Sequence, residues 1–198
     1  MTLTFRYSTA LAALVLAACA GGNTALRSPT LDHIATLQLP DGHDAVLVRE
    51  YDDEVKLGDG REQRMHVAYL WDYTAAVARE RQTAPDGSLI SDRLLPALTL
   101  NATAAELAYA VALLRQDAAI NARFTDDSDI YGGFSQREPG DAHCDLGSRC
   151  IHVIVSRDSG RYKVAHAIVD LQRGRVVDPD YDPELGGIAE VNQKAARQ

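Results

Sequence analysis

Residues 150–177 read CIHVIVSRDSGRYKVAHAIVDLQRGRVV, and this stretch decides the fold. Cys150 to Ser156 is a β-branched-rich run of strand length. Asp158-Ser159-Gly160 is turn chemistry, because these residues tolerate the backbone angles a reversal needs. Tyr162 to Leu171 then returns as a second strand. Gln172-Arg173-Gly174 reverses the chain again into Arg175–Val177. Parallel neighbours need a crossover of a dozen residues or more, so strands joined by such short turns are antiparallel. The C-terminal third is therefore a meander.

Upstream, the pattern is a further series of hairpins and one helix. Leu31–Leu39 alternates loosely and ends at Pro40-Asp41-Gly42, with Ala45–Tyr51 as the returning strand. Met65–Leu70 suits a third strand, and His66 reads as a half-exposed strand residue. Thr74 to Gln82 and Ser88 to Pro96 flank Ala84-Pro85-Asp86-Gly87, a turn signal between two β-compatible runs. Thr103 with Glu106 three residues on forms a capping-box pattern before Ala104–Gln116, where Leu107, Val111 and Leu114 share one face. A short second helix or turn spans Asp117 to Phe124. Thr125 to Asp129 is an acidic loop, and Tyr131-Gly132-Gly133-Phe134 reads as a turn leading into another strand. The expected class is α+β: an antiparallel sheet of hairpins with one main helix on a face. Regular βαβ alternation is missing, which argues against a doubly wound parallel sheet.

The chain has 198 residues, a length for one ordinary domain, and a net charge of −8. That charge argues against binding nucleic acid through its phosphates, which needs a basic face, and against peripheral attraction to anionic lipid. The N-terminus has Arg6 before an apolar run from Ala10 to Ala18, the pattern of a secretory signal. The run is far shorter than the roughly 20 apolar residues a spanning helix needs. Leu16-Ala17-Ala18-Cys19 follows directly and resembles the bacterial lipobox, whose cysteine receives a lipid and becomes the new N-terminus. In that motif Asp after the cysteine marks inner-membrane retention. Ala20 stands there, so the resemblance implies the outer membrane, with the domain facing the periplasm or, as the alternative, the cell surface. The expected organisation is a signal peptide at 1–18, a lipidated tether at 19–30, one α+β domain at 31–183 and a tail at 184–198.

With Cys19 assigned to lipid, Cys144 and Cys150 remain, within HCDLGSRCIH. An even pair in an oxidising compartment is by default a disulfide, and Asp145 to Arg149 contains turn formers. A metal reading stays open: His143, Cys144, Cys150 and His152 would make a Cys₂His₂ set, though the spacing fits no standard zinc knuckle. A redox reading lacks C-x-x-C. His152 and His166 lie on strands expected to be antiparallel neighbours, so with His143 they form a candidate imidazole cluster. Asp178-Pro179-Asp180-Tyr181-Asp182-Pro183-Glu184 alternates carboxylates but departs from an EF-hand at its sixth and twelfth positions, so it reads as an acidic, proline-stiffened loop.

RERQTAPDGSLISDRLLP, LTLNATAAELAYAVALLRQDAAI and HAIVDLQRGRVV together resemble the small non-catalytic N-terminal domains of copper amine oxidases and the cystatin-like and PepSY-like modules that share their layout. The resemblance covers about half the chain. It implies a cystatin-like fold and a module that binds or scaffolds, without metal or redox cofactor. No G-x-S-x-G, H-E-x-x-H or phosphate-cradling loop appears. The sequence therefore leads to a non-enzymatic outer-membrane lipoprotein with no cofactor, held to the membrane by its lipid and facing an envelope protein partner. The alternative is a periplasmic copper- or zinc-binding protein using His143, His152 and His166.

Overall fold

The computed structural model describes residues 27–56 and 60–183. The expected signal peptide, Cys19 and the tail at 184–198 lie outside the described residues. The architecture is mostly antiparallel sheet with few helices. Strands β1 (Leu37–Gln38), β2 (Asp44–Lys56), β3 (Glu62–Asp72), β4 (Val77–Thr83) and β5 (Leu89–Leu94) form a five-stranded meander. Helices α1 (Ala104–Leu114) and α2 (Ala118–Asn121) follow. Strands β6 (Asp129–Ser135), β7 (Cys150–Arg157), β8 (Tyr162–Asp170) and β9 (Arg175–Asp178) form a second, four-stranded meander.

The one sheet expected from the hairpin series is thus two. Between β5 and β6 the chain leaves the first sheet through Pro96, which has no N–H for a ladder, and passes through α1 and α2 before the second sheet begins. The expected strand Leu31–Leu39 is also mostly replaced. Pro29–Asp32 is a 3-10 turn with Pro at its first position, where a fixed φ suits a helical start. Ser28 and Thr30 are buried and their hydroxyls both donate to the Leu171 carbonyl. Residues 28–30, expected in the tether, are therefore part of the folded body.

The second sheet follows the period-two rule that successive side chains face opposite sides. Ile151, Val153, Ala167 and Val169 turn to one side and share a cluster with Ala110, Val111, Leu113 and Leu114 of α1. His152 and His166 turn to the other. The capping box is present: the Thr103 hydroxyl accepts from the Glu106 N–H, and the Glu106 carboxylate accepts from the Thr103 N–H at 2.7 Å. Gly132 and Gly133, expected in a turn, lie inside β6 at a bulge. Gly132 has φ +134°, and a Cβ there would run into the His152 carbonyl, so only glycine lets β6 approach β7.

The two sheets meet around Trp71, Tyr73, Glu106 and Arg149. Arg149 is 1% and Glu106 0% exposed. Arg149 donates to both Glu106 oxygens at 3.0 Å and to the Leu100 and Asn101 carbonyls. The Tyr73 hydroxyl donates to Glu106 at 2.7 Å. Burial pushes the Glu106 carboxyl up, but the Arg149 charge and the hydrogen bonds outweigh it and hold it below its ordinary value. Removing one partner of a buried pair strands the other charge, so Glu106→Ala should destabilise by about 3–5 kcal/mol. Thr103→Ala, which removes only the cap, should cost about 1 kcal/mol. Urea unfolding of both variants measures the difference, and equal losses would refute the central role of the pair.

Candidate functional site

Four places in the described structure bring chemistry together. The first is the disulfide segment. Cys144 and Cys150 are bonded, and both are fully buried beside Ile168. Asp141 holds the approach to it by accepting from the His143 and Cys144 N–H groups. The thiols are thereby consumed, so the Cys₂His₂ arrangement does not form.

The second is a cleft of about 770 Å³ at the junction of the sheets. Its walls come from four stretches distant in sequence, around Arg27 and Leu31, Gly42 and Asp44, Tyr73 and Ala76, and Gln172-Arg173, with Gly147 of the disulfide loop closing one side. Leu31 and Tyr73 are buried and give it an apolar floor. Its charges are mutually satisfied: Arg27 pairs with Asp32 at 2.6 Å and Asp44 at 3.5 Å, and Arg173 pairs with Asp170 at 2.8 Å. Gln172 ties the walls together, donating to the Tyr73 carbonyl and accepting from the Trp71 indole N–H. Gly174 sits against Pro29 with φ +61°, where a Cβ would collide with the proline ring.

The third is the outer face of the second sheet. The sequence-predicted histidines separate here. His152 Nδ1 and His166 Nε2 lie 2.9 Å apart, diagonal neighbours across β7 and β8. Tyr181 packs edge-on against both rings, held by its N–H to the His166 carbonyl. His143 is placed elsewhere, with Nδ1 3.4 Å from Arg175. Burial lowers the pKa of both paired rings; for His166 the neighbouring His152 and Lys163 add to this and bring it down to about 4. Among the described residues no group of three or more His, Cys, Asp or Glu side chains is arranged to hold a metal ion. Asp180 of the acidic loop is engaged by Arg123.

A further constellation went unread in the sequence. Arg79 is only 10% exposed and meets three carboxylates: Asp41 at 2.7 Å, Asp72 at 3.1 Å and Asp92 at 2.5 Å. His43 Nδ1 bonds the buried Asp72 at 2.8 Å. The only local signal was the alternation of Arg79 and Arg81 with Glu80 and Gln82 on β4; the three acids come from other elements. His66, expected as an ordinary strand residue, sits between Glu50 and Asp52 on the exposed hairpin.

Comparison with protein-family models found none that matches the chain, and a search of curated proteins found no match either.

The hydrogen bond to Asp72 is the main cause that raises the His43 pKa, with burial opposing it. A raised folded-state pKa gives stability that is complete below the unfolded value and is lost as pH climbs through the folded value. His43→Gln, which keeps a neutral donor, should therefore lower the urea midpoint at about pH 5.5 and match the wild type by about pH 9. A constant difference across that range would refute an ionic role.

Proposed function

We propose that this chain is a non-enzymatic lipoprotein of the cell envelope, anchored in the outer membrane through Cys19, whose folded domain is a binding or scaffolding module. The observation that carries the reading is the buried Cys144–Cys150 bond. Such bonds persist in oxidising compartments, the destination that Arg6, the Ala10–Ala18 run and Leu16-Ala17-Ala18-Cys19 imply. Among the described residues no helix is long and apolar enough to cross a membrane, so attachment in this reading falls to the lipid.

The fold we infer for the second half is cystatin-like, with the four-stranded sheet wrapped on α1. The cluster shared by Val111, Leu114, Ile151 and Val169 supports it. The junction cleft is the binding surface in this reading. Its volume of about 770 Å³ falls within the range of roughly 300–1,000 Å³ usual for ligand sites. Its walls are fixed by side-chain bonds between the sheets, and it carries an apolar floor with a polar rim. It also begins at Arg27, eight residues (27 − 19) from Cys19. Eight residues span at most roughly 28 Å, so an anchored domain would hold this cleft close to the lipid surface, toward partners lying on the membrane.

Membrane flotation of the wild type and Cys19→Ala tests the anchor. The wild type should float with the outer membrane and Cys19→Ala should move to the soluble periplasmic fraction with an unchanged melting temperature. Membrane retention of Cys19→Ala would overturn the reading. In living cells, a photo-crosslinking residue at Thr74 in the cleft should give a discrete adduct. The same residue at Tyr162, which is 65% exposed and outside the cleft, should give none. Equal labelling would remove the cleft from the proposal.

A further inference from the structure

We propose that His152 and His166 form a chelate site for a cupric ion on the outer face of the second sheet. The inference goes beyond the binding-module reading and stands whether or not Cys19 carries a lipid. It also revises the three-histidine set expected from the sequence, because His143 lies against Arg175 and takes no part.

The argument begins with strand geometry. Residues 152 and 166 lie on adjacent antiparallel strands, paired with Ile168 and Ile154 respectively, so both imidazoles leave the sheet on one face. His152 Nε2 faces the Gln136 side-chain oxygen at 3.0 Å. An oxygen there only accepts, so Nε2 carries the proton and Nδ1 presents its lone pair toward His166. That is the orienting pattern of a ligating imidazole, with one nitrogen free for a metal and the other held by an outer acceptor. Gln136 is itself fixed, since its N–H donates to the Cys150 carbonyl beyond the β6 bulge. Tyr181 packs against both rings and fixes their tilt.

The separation selects the metal. With metal–nitrogen bonds of about 2.05 Å, the 2.9 Å between His152 Nδ1 and His166 Nε2 subtends roughly 90° at a shared ion. Tetrahedral zinc with the same bonds would need the nitrogens about 3.3 Å apart. A right angle is the cis position of a tetragonal site, the preference of copper(II) and nickel(II), and copper(II) heads the divalent affinity order. A recess of about 200 Å³ lies beside His166, lined also by Asp180, Tyr181 and Asp182. The charges around it are mixed: Lys163 and Arg123 also line the recess, Arg123 is paired with Asp180, and Asp182 acts on His166 in the opposite sense to Lys163. At 2.9 Å the two nitrogens share one proton, His166 Nε2–H donating to His152 Nδ1, and the metal takes that proton's place as His166 shifts to its Nδ1–H tautomer.

The test is a copper(II) titration of the purified full chain, disulfide intact, followed by electron paramagnetic resonance. The expected result is one copper(II) per chain with nitrogen splitting from two imidazoles. This signature separates the site from His43 and His66, which each offer a single imidazole beside carboxylates. His152→Ala and His166→Ala should each remove the two-nitrogen spectrum, and His143→Ala should leave it intact. Gln136→Leu should weaken binding by about ten-fold while keeping both nitrogens, as expected of an outer orienting group. A wild-type spectrum with one nitrogen or none overturns the proposal without recourse to variants. So does a two-nitrogen spectrum that survives His166→Ala, or a zinc affinity exceeding that for copper(II).

Discussion

The Arg149–Glu106 pair sits where both sheets, the helix and the disulfide segment come within reach of each other. Burying two charges is costly, and their attraction offsets that cost only when the remaining donors and acceptors are met. Here they are met: Glu106 accepts from Arg149, Tyr73 and the Thr103 N–H, and Arg149 also donates to the Leu100 and Asn101 carbonyls. Arg149 and Arg137 both stand over the Trp71 ring, at 5.0 and 5.3 Å. Sheets that share no ladder need some other device to fix their relative position. A polar network is satisfied in one arrangement only, whereas apolar side chains tolerate sliding.

The junction cleft depends on that arrangement. Tyr73 supplies both its floor and a bond to Glu106, and Gln172 holds the Trp71 indole and the Tyr73 backbone from the opposite sheet. The segment from Ser28 to Thr30 closes the remaining side by donating two hydroxyls to the carbonyl of Leu171, the residue before Gln172. A cavity whose walls are tied by hydrogen bonds across the gap keeps its shape without a ligand. Preorganisation of this kind lowers the ordering cost of binding.

The parts of this fold that were legible in the sequence are those fixed by near neighbours. Thr103 and Glu106 are three residues apart, and their capping box is present. The β7, β8 and β9 meander follows its Asp158-Ser159-Gly160 and Gln172-Arg173-Gly174 turns. His152 and His166 were within reach of prediction because a short turn dictates their pairing. His143 was not, because it sits in an irregular segment whose path is set by Asp141, Cys144 and distant Arg175. Glu106 was read as a cap alone. Its second role needs Arg149, 43 residues away, and nothing local marks that partnership. The division into two sheets was hidden for the same reason, since each hairpin is compatible with one sheet or two. Gly132-Gly133 was misread because a bulge inside a strand and a turn before one demand the same residue type.

The histidines show how environment, more than residue type, assigns chemistry. His43 lies against Asp72, a carboxylate buried between it and Arg79, and its proton is held. It is a charge in a structural ion network, with its Nδ1 committed. His152 and His166 face each other, an amide oxygen and a tyrosine ring, and burial favours their neutral forms. A neutral imidazole has one lone pair to give: His152 Nδ1 accepts from His166 Nε2 across the neighbouring strands, and the proposed metal replaces that shared proton. In the acid-rich first sheet, hydrogen-bonded carboxylates thus favour the charged forms of His43 and His66. The outer face of the second sheet leaves a pair of nitrogen donors that the fold itself does not require to be charged.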